Sequence, residues 1–184
     1  MWYVVSTGSV HRQVGVIEIG GMSGLNAAAP ERAERALLAC CAVPGWASVV
    51  AAGRPYPDLG ALTAVSDAAL AALDWAAVER ALAAHPRIGE RARGDGREAD
   101  WSRREQSAAA TGDADLRAAL TTGNAEYEQR FGHVFLICAT GLPAQDVLAA
   151  LRARLCNDEN AERATVREEL GRIVRLRLAK LVAQ

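Results

Sequence analysis

Polar residues on both sides of one loop have side chains that could transfer protons. His85 stands directly before Pro86, and Ser102, Glu105 and Gln106 follow after a charged, glycine-containing segment. An imidazole beside a carboxylate is a common arrangement for general acid–base catalysis, and it requires no metal. This stretch therefore predicts either the two halves of one active site or a surface turn between two helices.

Each half of this stretch also has a purely structural interpretation. His85 is expected at the carboxyl end of a helix, where the dipole favours the protonated imidazole and where the side chain could serve only as a cap. Ser102-x-x-Glu105 matches a capping box, and on spacing alone that role is favoured over ligand binding. We therefore expect a helix that begins near Ser102, after a polar loop over 87–100 whose length is typical of functional or disordered loops.

One arginine lies on an otherwise apolar helix face. The last predicted helix, 159–182, repeats apolar residues at helical spacing, and Arg177 falls near the middle of the same face. A buried guanidinium must be paired or must extend to solvent. Arg177 is therefore either part of an internal salt bridge or the anion-binding group of a pocket. The apolar residues of this face are Val166, Leu170, Ile173, Val174, Leu178 and Leu181.

The elements that must position these residues are helices. Proline and glycine divide an alanine- and leucine-rich chain into helical segments, so we predict an all-α, single-domain multi-helix bundle over 22–184. Residues 1–21 are β-leaning and are expected to form a flexible N-terminal extension. The predicted helices are 30–42, 46–52, 66–85 with Ser66-Asp67 as N-cap, one from 102, 113–121, 124–139, 144–157 and 159–182.

Gly132 is out of place in the predicted helix 124–139. Glycine inside a helix costs about 1 kcal/mol relative to alanine. The same helix has an apolar stripe that contains Tyr127, Phe131 and Phe135, which core packing explains fully. We attribute Gly132 to a close approach of its backbone by a ligand or another helix.

Composition excludes several functional classes. The 184 residues carry a net charge of −1, which argues against a nucleic-acid-binding protein and against a polybasic membrane-surface protein. The four cysteines show no metal-ligand spacing; Cys138 and Cys156 are expected to be small buried side chains, in keeping with a reducing compartment. Because no segment has the length of a membrane span and the N-terminus does not resemble a signal peptide, we expect a cytoplasmic protein.

Several ordered motifs together resemble one enzyme family. His85-Pro86-Arg87-Ile88-Gly89 is similar to its HPxIG segment, and Ser102-x-x-Glu105-Gln106 to its SxxEQ segment. Asn124-x-x-Tyr127 with Phe131-Gly132-x-x-Phe135-Leu136-Ile137 is similar to its NxxYxxxFGxxFxI segment. Further correspondences are Leu25-Asn26, Trp46, Arg54-Pro55-Tyr56, Arg154-Leu155-x-Asn157, Glu169, Ile173 and Arg177-Leu178. The family is that of the 2-oxo-4-hydroxy-4-carboxy-5-ureidoimidazoline (OHCU) decarboxylases of urate breakdown, and the resemblance covers about Gly24 to Leu181.

The resemblance implies a cofactor-free lyase of all-helical fold, usually a homodimer. It would convert the unstable ring product of the preceding hydrolase, to which it could be functionally coupled, into (S)-allantoin and carbon dioxide. Carried over by position, His85 is the catalytic acid/base and Glu105 the second catalytic group. Ser102, Glu105 and Gln106 hold the ureido and ring groups, Arg177 holds an anionic or carbonyl edge, and Pro86, Phe135, Leu136 and Ile137 line the pocket. Arg87 replaces an acidic residue that is common in the family, and its role is open.

Elementary chemistry agrees with the absence of a cofactor. Loss of carbon dioxide leaves an electron pair that the C=N bond of the ring can delocalise, so the protein must only place the carboxylate, polarise the ring and deliver a proton. Two alternatives are a non-catalytic helical ligand-binding module, and a different cofactor-free lyase or hydrolase that acts on a ureido or imidazole compound. A metal enzyme is less consistent with the sequence, because no cluster of ligands accompanies His85.

Overall fold

A computed structural model describes residues 19–88, 97–107 and 113–183, except for the side chain of Glu98. These residues form nine α-helices and no strand, which confirms the all-α prediction. Residues 1–18 of the predicted extension, including His11, lie outside the described residues, whereas Ile19 packs in the core at 2% exposure. The helices are α1 (Gly21–Ala27), α2 (Pro30–Leu38), α3 (Pro44–Ala52), α4 (Leu59–Ala71), α5 (Trp75–Ala83), α6 (Arg97–Glu105), α7 (Ala114–Phe131), α8 (Ala144–Arg154) and α9 (Glu159–Val182).

The single helix predicted over 66–85 is wrong, because two helices occupy this part of the chain. The side chain of Asp58 caps α4 by accepting a hydrogen bond from the Ala61 amide, and Asp74 caps α5 in the same way through Ala77. Ser66 is buried inside α4 and caps nothing. A good cap at Asp74 starts a new helix with a new direction, and it overrides the high helix propensity of the alanines around it.

The predicted helices 113–121 and 124–139 are also wrong: α7 runs without a break from Ala114 to Phe131. It stops at Gly132, whose φ of 76° is the left-handed conformation that glycine adopts at helix ends. A Cβ atom on Gly132 would have no neighbour within 4 Å, so a close approach does not explain this glycine. Gly123 has that role instead, because its Cβ would lie 2.7 Å from Cδ2 of Leu151 on α8.

Two hydrophobic clusters meet along the non-helical segment 133–139. The larger cluster surrounds α9 and α3 and includes Trp46 and Leu178, both 0% exposed, as well as Leu136. The smaller cluster lies between α7 and α8 and includes Phe135 and Ile137. Successive side chains of an extended segment point in opposite directions, so this one segment contributes to both clusters and lies at their junction.

Among the described residues, no single helix is long and apolar enough to span a membrane. The pair α4 and α5 meets a length-and-composition criterion together, but the two helices are bent by 113° at the break between them.

Three residues of the upstream motifs, Asn26, Arg54 and Tyr56, connect helices to one another. The side chain of Asn26 donates to the carbonyl of Tyr56 at 2.8 Å and accepts from its amide at 2.9 Å. Arg54 donates to the carbonyls of Leu25 and Ala28, both at 2.7 Å, and so joins the end of α1 to the end of α3. These motif residues therefore contribute to the framework and not to the pocket described next.

Candidate active site

A pocket with about 330 Å³ of empty space opens where the end of α5, the end of α6, the segment 133–139 and α9 come together. The fold therefore gathers in one place residues that lie between positions 85 and 177 of the sequence. All nine predicted site residues line this pocket, together with two isoleucines that sequence reasoning did not select. The lining residues are His85, Pro86, Ile88, Ser102, Glu105, Gln106, Phe135, Leu136, Ile137, Ile173 and Arg177.

The capping-box interpretation of Ser102 and Glu105 is wrong. Helix α6 begins at Arg97, five residues before Ser102, so these side chains lie in the middle and at the end of the helix. Arg177 donates from Nη2 to the Ser102 hydroxyl at 3.0 Å and to Glu105 Oε2 at 2.9 Å, and its Nε donates to Glu105 Oε1 at 3.2 Å. The inward-facing arginine of α9 is therefore paired, as one of the two sequence interpretations expected.

Glu105 also has a second cation. Nζ of Lys180 lies 3.1 Å from Oε1 of Glu105. Burial alone raises the pKa of Glu105, but the hydrogen bonds and charges of Arg177 and then Lys180 outweigh it, so this pKa lies below its ordinary value. Glu105 is therefore an ionised, firmly held carboxylate that is poorly suited to accept a proton.

His85 is held as a neutral imidazole. Its Nδ1 donates to the Ala81 carbonyl at 2.8 Å, and its buried Nε2 has no hydrogen-bond partner. Burial and then the charge of Arg177 lower the pKa of His85 from 6.5 to about 4, although the hydrogen bond to the Ala81 carbonyl and the charge of Glu105 act in the opposite direction. The expectation that the helix dipole favours the protonated form is wrong, because burial beside a guanidinium is the larger effect.

The group that orients the imidazole of His85 is a backbone carbonyl and not a carboxylate. The Ala81 carbonyl orients the ring of His85, since it binds Nδ1 one helical turn away. Glu105 binds Arg177, Lys180 and no atom of His85. The lone pair of Nε2 has no donor among the described residues, so it can accept a hydrogen bond or a proton from a ligand in the pocket.

Three contacts from other elements hold the wall formed by 86–88. Asn124 on α7 donates to the Ile88 carbonyl at 3.0 Å, and Gln106 donates to the Pro86 carbonyl at 3.4 Å. Arg87 forms a two-pronged ion pair with Glu128 on α7, at 2.5 and 2.8 Å. The hydrogen bond from Arg87 lowers the pKa of Glu128. Arg87 thus attaches the wall to α7 from outside, with 47% of its side chain exposed.

A buried charge network holds the opposite wall. Nη1 of Arg154 donates to the Leu136 carbonyl at 2.7 Å, and its Nη2 pairs at 2.5 Å with Glu162, whose side chain is 0% exposed. Tyr127 and Asn157 also donate to Glu162. The Tyr127 pKa is raised by burial and by this bond. Two residues further along this segment, the amide of Cys138 donates a hydrogen bond to Oε2 of Glu169 at 2.8 Å. The backbone of 136–138 is therefore fixed at two points.

Sequence reasoning gave no role to Arg154, Glu162, Glu169 or Lys180. The motif residues Tyr127, Arg154, Asn157 and Glu169 were the signals that could have pointed to these contacts, since arginine and asparagine are seldom buried without partners. No three His, Cys, Asp or Glu side chains in the described part of the chain lie together as metal ligands. Cys156 is exposed and Cys138 is only partly buried, contrary to the expectation that both are buried.

Comparisons with known proteins agree with this geometry. The family model for OHCU decarboxylase matches residues 26–179. The 2-oxo-4-hydroxy-4-carboxy-5-ureidoimidazoline decarboxylase of Amia calva is 33% identical over 141 residues, which are 76% of this chain and 81% of that protein. The Uric acid degradation bifunctional protein TTL of Arabidopsis thaliana is 32% identical over 149 residues, and the match covers 77% of this chain and 45% of that protein.

Two solved structures resemble the fold. The crystal structure of an OHCU decarboxylase in the presence of (S)-allantoin has a TM-score of 0.71 and 26% identity, and the match covers 85% of this chain and all of that one. The crystal structure of an (S)-allantoin synthase has a TM-score of 0.67 and covers 88% of this chain and 54% of that one; at 15% identity it supports the fold alone. With a family model matched over most of its length, the chain belongs to the OHCU decarboxylase family.

Proposed function

We propose that this protein is a carboxy-lyase that converts 2-oxo-4-hydroxy-4-carboxy-5-ureidoimidazoline into (S)-allantoin and carbon dioxide during urate breakdown. The observation that carries the proposal is the neutral His85, whose Nε2 has no hydrogen-bond partner and which lines a pocket together with the ion pair of Glu105 and Arg177. Lys180 is not part of the lining, but it contacts the carboxylate of Glu105. Family membership gives the proposal its substrate.

The reaction requires that the protein hold the substrate in position and deliver one proton to it. Carbon 4 of the substrate carries both a hydroxyl and a carboxylate, and carbon 5 carries the ureido group. When the carboxylate leaves as carbon dioxide, its bonding pair forms a C4=C5 double bond while the ring C=N electrons move onto nitrogen. Carbon 5 then takes up a proton, the hydroxyl loses one to become a carbonyl, and the ring nitrogen is protonated. Delivery to one face of carbon 5 decides the handedness of the product.

His85 is placed to carry that proton. As a neutral base it accepts the hydroxyl proton at Nε2, and as an imidazolium it returns a proton to carbon 5. An anionic substrate beside the ring stabilises the imidazolium and so raises the pKa of His85 above its value in the empty pocket. Ser102, Gln106 and the backbone of 135–137 hold the ureido and ring groups, and Arg177 and Lys180 offset the substrate charge. None of these roles requires a cofactor.

We further propose that the protein acts as a homodimer in the cytoplasm, immediately after the hydrolase that forms its substrate. The short lifetime of that substrate supports functional coupling between the two enzymes. A nucleic-acid or membrane partner is not proposed, because a net charge of −1 does not favour binding to phosphates.

Circular dichroism of allantoin tests the function. Urate is converted by urate oxidase and the hydrolase, with wild-type protein, with His85→Asn, or with neither. We expect rapid formation of one enantiomer with wild type only, since spontaneous decay gives the racemate. Equal rates of racemic product in all three samples would reject the decarboxylase. Isothermal titration with (S)-allantoin would then separate a binding module from an enzyme that uses another ureido or imidazole compound.

A further inference from the structure

Lys180 is the only lysine of the chain, whose other strongly basic residues are all arginine. It lies in the last turn of α9, three residues after Arg177, so the two side chains project from nearly the same face. No motif of the family resemblance includes it. Yet its ammonium group contacts the one carboxylate that lines the pocket.

Arg177 and Lys180 both bind the Glu105 carboxylate, and Nε of Arg177 lies 3.2 Å from Oε1, the oxygen that Lys180 also binds. Nη2 of Arg177 binds Oε2 at 2.9 Å, and Nζ of Lys180 binds Oε1 at 3.1 Å. The side chain of Arg177 is 1% exposed and that of Glu105 is 9% exposed, whereas Lys180 is 35% exposed and covers the pair from the solvent side. Held at both oxygens, the carboxylate cannot rotate without breaking a charged hydrogen bond.

The second cation also changes the charge of the pocket. Glu105 and Arg177 alone would cancel, and His85 is neutral near pH 7 because its pKa is about 4. Lys180 therefore gives this cluster a net positive charge. A ligand with one carboxylate is attracted to such a cluster, and the attraction is stronger in a partly desolvated pocket than in water.

We propose that Lys180 is a positioning residue of this site: through Glu105 it fixes the carboxylate against Arg177, and it leaves the pocket positively charged for an anionic substrate. The first half of this inference concerns the protein alone, and the second half rests on the proposed function.

Other groups near Glu105 do not supply the same effect. Burial raises the pKa of the Cys40 thiol, and burial likewise raises that of Cys138, so neither carries charge near neutral pH. Among the described residues, the groups that interact with Glu105 or with Arg177 beside it include Ser102 on α6, Arg177 and Lys180 on α9, His85 after α5, Cys40 after α2 and Cys138 in the segment 133–139. Within this set, Arg177 and Lys180 are the charged partners.

Titration of Glu105 tests the first half without any turnover. Carboxyl carbons are followed by NMR in protein labelled with ¹³Cδ-glutamate, and Glu105→Gln identifies the signal. We expect Lys180→Met to raise the midpoint of Glu105 by about half a pH unit, and Lys180→Arg to keep it near the wild-type value. Arg175→Met is the matched control, because Arg175 lies on α9 but pairs with Asp67 at 2.9 Å, outside this pocket. An unchanged midpoint in Lys180→Met overturns the inference.

Steady-state kinetics of the same variants tests the second half. We expect Lys180→Met to lower kcat/KM about five- to tenfold, mainly through KM, with recovery in Lys180→Arg and a smaller difference at high salt. A raised Glu105 midpoint with unaltered kinetics would overturn the role in substrate binding. Absence of turnover in wild-type protein would reject the proposed function, and the titration would still decide whether Lys180 holds Glu105.

Discussion

Glu105 at the end of α6 and Arg177 on α9 are 72 residues apart in the sequence and form a two-pronged ion pair at the pocket. The pair joins α6, which carries Ser102 and is followed directly by Gln106, to α9, which contributes many side chains to the larger hydrophobic cluster. Since both side chains are almost fully buried, each charge depends on the other for its solvation. The same contact thus serves stability and places charge in the candidate site.

Removal of one member of this pair should be costly. We expect Arg177→Met to lower the free energy of unfolding by about 3 kcal/mol, because it leaves Glu105 buried with Lys180 as its remaining cation. The double variant Arg177→Met/Glu105→Gln should recover much of that loss, since no buried charge remains unpaired. Urea unfolding of the three proteins measures both quantities. A loss below about 1 kcal/mol in the single variant would contradict the structural role of the pair.

The protonation of His85 should be unusual. We expect its imidazole to titrate near pH 4 in the free protein, against 6.5 ordinarily, with the proton on Nδ1 at neutral pH. Because the unfolded chain binds this proton first, His85 should reduce stability progressively as pH falls from about 6.5 to about 4. Two-dimensional ¹⁵N NMR of the ring measures the midpoint and the tautomer.

His85→Asn supplies the control for that titration. Its free energy of unfolding should fall less steeply than that of wild type over the same acid range. For the active protein, kcat/KM should decline below about pH 4 as the base is protonated. A histidine midpoint near 6.5 would show that the ring is more hydrated than the structure indicates.

Two glycines with open space around them should respond oppositely to alanine. A Cβ on Gly132 or on Gly171 would have no neighbour within 4 Å, but only Gly132 has a positive φ, of 76°. We expect Gly132→Ala to destabilise the protein by about 1 kcal/mol, and Gly171→Ala, inside α9, to stabilise it by about as much. Thermal and urea unfolding of the two variants checks the signs; the same sign for both would contradict this explanation.

The Arg87–Glu128 pair should be worth little energetically despite its two-pronged geometry. Arg87 is half exposed, so a double-mutant cycle with Arg87→Ala and Glu128→Ala should give a coupling of at most about 1 kcal/mol. The exchanged pair Arg87→Glu/Glu128→Arg should retain most of the activity, because the charges still attract. A coupling well above this limit, or complete loss of activity in the exchanged pair, would assign Arg87 a direct part in the site.

The sequence was sufficient to predict the helical class and the residues around the pocket. Proline and aspartate mark helix starts locally, and the bounds of α8 and α9 follow from such signals within a few residues. The buried face of α9, including Arg177, follows from periodicity alone. The family motifs identified His85, Ser102 and the segment 135–137 as site residues, because a motif is recognised from the order and spacing of its residues without knowledge of their contacts.

The tertiary structure decided what those residues contact. Local spacing favoured a capping box for Ser102 and Glu105, but α6 starts earlier and both side chains turn toward Arg177. The dipole of α5 favoured a protonated His85, but burial and Arg177 reverse that preference. The sequence pattern assigned no role to Lys180, and its contact with Glu105 arises because α6 and α9 are adjacent in the fold. Helix formation depends on neighbours a few residues away, whereas ionisation and pairing depend on charges and burial brought together from distant parts of the chain.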